Sequence, residues 1–149
     1  MTATPSPDRR WPLLLAAIRL HVLAYRITRG RVGQRFRGGP PMLLLDHIGA
    51  RSDVRRTTPL VYIRDGANVV LVASKGGFPR NPGWFHNLAA HPETTVQIGA
   101  TRQAVTARVA GPAERERLWP KVVEAYPGYA DYQQRTVREI PLVILEPRH

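Results

Sequence analysis

Cysteine is absent from this chain of 149 residues, so disulfides and thiolate metal sites are excluded. Lysine is nearly absent: Lys75 and Lys121 are the only two among 22 basic residues. Long apolar runs are missing too, and nothing approaches the roughly 20 apolar residues that span a bilayer. The stretch WPLLLAAIRLHVLAYRI is broken by Arg19 and His21, and no small-x-small cleavage site follows, which argues against a secretory signal. The common catalytic signatures are lacking as well: no G-x-S-x-G, no H-E-x-x-H, no P-loop and no G-x-G-x-x-G. His47, His86 and His91 have no metal-ligand spacing with nearby carboxylates, so no metal is expected.

What is present is an ordinary globular composition, 43% apolar and 22% charged, with an excess of positive charge: net +11. Such a balance suits nucleic acid, an anionic membrane surface or a polyanionic small ligand. No recognised RNA or DNA motif is present, which leaves a nucleic-acid module as the weakest of the three.

The length suits one core-bearing domain, and two segments are expected within the chain. Residues 1–40 form a tail, small and proline-rich over 1–7, and a basic amphipathic helix over 8–29. On that helix Arg19, Arg26 and Arg29 share one face and leucines fill the other. It either packs on its own domain or lies on anionic lipid. RGGPP at 37–41 reads as a linker.

Residues 41–149 then change to short strands: 42–48, 57–63, 69–74, 94–98, 102–110 and 141–146. The turn DGAN at 65–68 signals a hairpin. Helices are expected over 82–90, with Asn81 as N-cap and Pro82 at the first helical position, and over 112–126, kinked at Pro120. A short helix over 129–138 follows. Antiparallel hairpins with helices between them favour an α+β fold, a small split β-barrel of about six antiparallel strands.

Three clusters carry chemistry. The turn GARSDVRRTTP sets Arg51, Arg55 and Arg56 beside Ser52, Thr57 and Thr58, the groups that hold phosphate or carboxylate oxygens. The stretch SKGGFPRNPGW adds Lys75, two glycines that let a ligand approach the backbone, and a helix N-terminus that attracts anions. Together they could cradle a strongly anionic molecule. Pro59, inside a strand, marks an edge or a ligand-facing position. Tyr126, Tyr129 and Tyr132 recur every third residue, as surface packing or as an aromatic wall over a flat substrate. A cradle without acid–base machinery suggests that a cofactor does the chemistry.

The blocks LLLDHIGARSDVRRTTPLVYIRDG, VLVASKGGFPRNPGWFHNLAAHPETTVQIG and YPGYADYQQRTVREIPLVILEP resemble the deazaflavin-dependent nitroreductase family, split β-barrel oxidoreductases that use coenzyme F-420. The resemblance runs from about Met42 to Pro147. It implies hydride transfer from reduced, oligoglutamylated deazaflavin to a flat acceptor such as a quinone or a nitroaromatic compound. It implies that Arg51, Ser52, Arg56 and Lys75 engage the phosphate region, with Ala73, Ser74, Gly76 and Gly77 around it. Thr57, Thr58, Pro59, Leu60 and Val61 would run along the ring. Gly83, Trp84, Phe85, His86 and Asn87 would close the coenzyme site, and Tyr62, Ser74, Tyr126, Tyr129 and Tyr132 would line the acceptor side. Ala50 stands where an arginine is usual and Asp53 where a glycine is usual. Asp53 adds negative charge and gives up easy access to positive φ. FMN in place of the deazaflavin, and a coenzyme carrier without turnover, are the alternatives. The expected location is the cytoplasm, free or peripheral on the inner face of the cell membrane.

Overall fold

A computed structural model describes residues 11–35, 39–74 and 80–148, except the Trp11 side chain. The proline-rich start, Arg37 and Gly38 of the expected linker, and Lys75, Gly76 and Gly77 lie outside the described residues. The elements in chain order are α1 (Trp11–Ile27), β1 (Met42–Ile48), β2 (Arg55–Asp65), β3 (Asn68–Val72), α2 (Gly83–Ala90), β4 (Glu93–Ile98), β5 (Thr101–Val109), α3 (Pro112–Ala125), α4 (Gly128–Gln134) and β6 (Leu142–Pro147). The six strands close into an antiparallel barrel in the order β1-β2-β3-β6-β5-β4, so the expected strand number and pairing hold.

Strand β1 and the pair β3 and β6 read as continuous apolar runs because both of their faces are covered. Successive side chains on a strand point to opposite faces. Leu43 and Leu45, Val69 and Leu71, Val143 and Leu145 gather in one cluster with Tyr62, Val96 and Val105, and Trp84 and Leu88 of α2 close it. Val70, Val72, Leu142 and Ile144 belong to a second cluster, against Leu118 and Val122 of α3 and Tyr129 of α4. The first fills the barrel; the second glues α3 and α4 to its outer wall.

The ladder is uneven. Seven residue pairs join β1 to β2, from Met42–Val61 to Ile48–Arg55. Only two pairs, Leu44–Gln97 and Leu45–Val96, join β1 to β4 and close the barrel. Beyond them the Thr94 hydroxyl donates to the Asp46 carbonyl in place of a ladder bond. Strand β2 pairs with β3 only from Tyr62 onward. The stretch Thr57–Val61 therefore has one described strand neighbour, which explains how Pro59 is tolerated: no ladder donor is needed on its open side.

Helix α1 is held by its C-terminal half. Tyr25 is fully buried; its hydroxyl donates to Met42 O at 3.1 Å and receives the Gly99 N–H at 2.8 Å. Arg26 donates to Asp46 at 2.8 Å, and Asp46 also accepts the Thr57 hydroxyl at 2.6 Å. Arg29 does not belong to the helical face: it follows the helix in a left-handed turn with φ 54. The next residue must be glycine, because a Cβ on Gly30 would stand 2.6 Å from Gly99 Cα. The leucine side faces outward, with Leu13 72%, Leu20 66% and Ile27 72% exposed. Among the described residues, no helix is long and apolar enough to cross a membrane.

Candidate functional site

A cleft of about 790 Å³ opens where the end of β1, the following turn, β2 and α2 meet. Its lining includes Arg51, Ser52, Arg56, Thr58, Gly83, Trp84, His86 and Asn87, all sequence-predicted coenzyme residues. The turn after β1 is tied by Gly49 N–H to Val54 O at 2.9 Å and Asp53 N–H to Gly49 O at 3.0 Å. A Cβ at Gly49 would collide with the Ser52 hydroxyl, so glycine here lets the turn fold tightly. Asp53 takes φ 55, so this aspartate adopts the positive φ for which glycine is the usual residue.

At the cleft floor lies a residue that sequence reasoning passed over. His47 is 5% exposed. Its Nδ1 lies 2.9 Å from Asn87 Nδ2, and its Nε2 lies 2.8 Å from the Thr58 hydroxyl. The Asn87 amide nitrogen can only donate, so Nδ1 accepts and Nε2 carries the proton. Asn87 Oδ1 in turn accepts the Ala50 N–H at 2.9 Å. One chain of bonds thus ties β2, β1, α2 and the turn that carries Arg51 and Ser52. Burial lowers the imidazole to about 4, helped by the Arg56 charge and opposed by Asp46. At neutral pH the ring is uncharged, as this bonding requires. Its signal in the sequence was a histidine in phase with Leu43 and Leu45 at the mouth of an apolar strand.

The remaining predicted residues are dispersed. Thr57 faces α1 through Arg26 at 3.2 Å. Leu60 and Phe85 pack against the barrel core, where Tyr62 and Ala73 are buried, and Val61 packs against the outer cluster. Ser74 is buried, and Arg138 holds its carbonyl at 2.8 Å and that of Ala73 at 3.2 Å. Arg138 also donates to Asn81 Oδ1 at 2.7 Å. That bond corrects the N-cap expectation: Pro82 occupies the cap position without a side-chain bond, and the Asn81 oxygen serves Arg138.

The tyrosines do meet one another, on the outer cluster and away from the cleft. Tyr126 and Tyr129 stack edge to face at 4.9 Å between ring centres. The Tyr126 and Tyr132 hydroxyls lie 3.3 Å apart. Burial raises the Tyr129 phenol well above its ordinary value. Among the described residues no cluster of histidine and carboxylate could hold a metal.

Residues 17–147 match the family described as F420H(2)-dependent quinone reductase. The chain belongs to that family. Its members are oxidoreductases that draw on reduced coenzyme F420. An F420H(2)-dependent quinone reductase of Mycobacterium tuberculosis is 48% identical over 134 residues, 88% of this chain and 90% of the relative. A solved F420-H2 dependent reductase, FDR-A, superposes with a TM-score of 0.66 at 42% identity, covering 71% of this chain and 94% of that one. A second structure, described as a domain-swapped dimer, gives 0.68 at 35% identity over 93% and 99%. These two likenesses bear out the split-barrel expectation.

Proposed function

We propose that the cleft receives reduced coenzyme F420 and that the chain reduces a quinone by hydride transfer. The observation that carries this reading is the convergence of Arg51, Arg56, Ser52 and the start of α2 on one cleft, in a member of an F420H(2)-dependent family. The residues suit the group. Arg51 and Arg56 make no ion pair among the described residues, so both guanidiniums are available to phosphate oxygens. A side chain at Gly83 would meet nothing within 4 Å, so the N–H groups of the α2 start can approach an anion.

When bound, the reduced deazaflavin supplies a hydride, since carbon at position five favours two-electron transfer over radical steps. The chain supplies position and polarity. Arg51, Ser52 and Arg56 would anchor the phosphate, with Lys75 beside them. The open edge of Thr57–Val61 would lie along the ring, and Trp84 and Asn87 would wall the cleft. Tyr62, Ser74, Tyr126 and Tyr132 stay on the acceptor side only by family resemblance. Tyr62 and Ser74 are buried and the Tyr126 and Tyr132 phenols lie on the outer cluster, so they would reach an acceptor only beyond the cleft, where a phenol can donate a hydrogen bond to developing negative charge. Buried Tyr129 would serve by packing its two neighbours.

The exposed leucines of α1, with exposed Arg19 on the same helix, support docking to an anionic bilayer, in which an apolar quinone dissolves. Flotation with anionic and neutral vesicles tests this: Leu20→Ser combined with Leu23→Ser should abolish co-flotation, and binding that survives removes lipid from the reading.

The coenzyme reading is tested by anaerobic titration with reduced F420, then with FMN, followed by a quinone panel. Arg51→Gln should weaken F420 binding about tenfold, the equivalent of ~1.4 kcal/mol. Equal affinity of wild type and variant would remove Arg51 from the site. Preference for FMN, or binding without oxidation by any quinone, would favour the alternatives.

A further inference from the structure

On the other side of His47 and Arg56 lies a second concavity, about 520 Å³ in volume, between α1, the ends of β1 and β2, and the β4–β5 pair. It exists because β1 and β4 pair only at Leu44 and Leu45 and then part. Five arginines line it: Arg26, Arg55, Arg56, Arg102 and Arg148. Its two acids are already engaged, Asp46 by Arg26 at 2.8 Å and Glu93 by Arg148 at 3.2 Å. Arg55, Arg56 and Arg102 have no ion pair or side-chain hydrogen bond among the described residues. Arg26 is itself under-satisfied, since its buried Nε has no partner. Thr95 also lines the groove.

Three unneutralised guanidiniums around one polar concavity repel one another, and a shared anion converts that repulsion into attraction. We propose that this groove is a second oxyanion site, holding a phosphate or two neighbouring carboxylates between Arg55, Arg56 and Arg102. Guanidinium forks match both groups in geometry, and Thr95 adds a donor. The two sites share Arg56, whereas Arg55 and Arg102 line the groove alone, so the test rests on those two and needs no bound coenzyme. Because the groove adjoins the cleft at His47 and Arg56, its occupant is either the acidic end of a molecule seated in the cleft or a separate anion.

Calorimetric titration of the full chain with pyrophosphate at low ionic strength tests the site. Arg55→Gln and Arg102→Gln should each weaken binding about tenfold, as for one lost charge-assisted bond. Arg64→Gln, an exposed change outside the groove, should leave it unchanged. No binding to the wild type, unaltered binding in both groove variants, or an equal loss in Arg64→Gln would overturn the proposal. So would a loss confined to Arg51→Gln, which would put the anion in the cleft. If a glutamine variant fails to fold, the lysine variant replaces it: it keeps the charge, loses the fork and should bind with intermediate affinity, while wild-type affinity there would count against paired recognition. Repeating the titration with F420 bound separates the sources: competition assigns the groove to the coenzyme's acidic end, and undiminished binding assigns it to a separate anion.

Discussion

Lowering the pH should expose the part that His47 plays. The unfolded chain takes up a proton at this imidazole as the pH falls through 6.5, whereas the folded chain resists until about 4. The unfolded state therefore binds more protons in that window. Stability from this group is complete above 6.5 and drains away as the pH falls towards 4. The full gap corresponds to at most ~3.4 kcal/mol, at 1.36 kcal/mol per pH unit. Because the ring lies at the floor of a solvent-open cleft, we expect about 2 kcal/mol of it between pH 7 and 4.5. His47→Gln is the matched perturbation. Glutamine offers one acceptor to Asn87 and one donor to Thr58, and it does not titrate. Urea unfolding of both proteins at pH 7 and 4.5 removes the common contribution of the carboxylates. With a slope near ~1.5 kcal/mol per molar urea, the wild type should lose roughly 1 M more in midpoint than the variant. Parallel losses in the two proteins would refute the assignment of a neutral, doubly bonded imidazole.

Three further outcomes are expected. Arg138→Ala strips a charged donor from Ala73 O, Ser74 O and Asn81 Oδ1; a loss of about 1.5–3 kcal/mol in urea unfolding is expected, together with weaker F420 binding in titration. Tyr25→Phe leaves the Gly99 N–H and the Met42 carbonyl short of a partner and should cost ~1–3 kcal/mol by thermal unfolding, with faster amide exchange at Gly99. Asp53→Gly relieves a positive φ and should stabilise by up to about 1 kcal/mol, while Asp53→Val should destabilise by about 1–2 kcal/mol, both read by thermal melts.

The barrel was legible because its signals are local. The β-branched and aromatic run of β2, turn residues at Asp65–Asn68, and double-faced apolar runs in β1, β3 and β6 all speak within a few residues. What the sequence hid depends on distant partners. Asn81 has the chemistry of a helix cap, but Arg138, 57 positions away, takes its oxygen. Arg29 fits the helical spacing, yet the approach of Gly30 to Gly99 ends the helix before it. The meaning of His47 rests on Asn87, 40 positions away. The arginine-rich turn was recognised as an anion cradle, but not that Arg51 would open into one concavity and Arg55 into another.

A barrel fastened at one seam by two residue pairs is a cylinder with a single weak stave. Local opening there separates fewer paired residues than at any other described strand junction, and it would merge the two hollows that share His47 and Arg56. An anion reaching across that junction would work as a clasp: by favouring the shut form it would tighten the hoop with the logarithm of its own concentration.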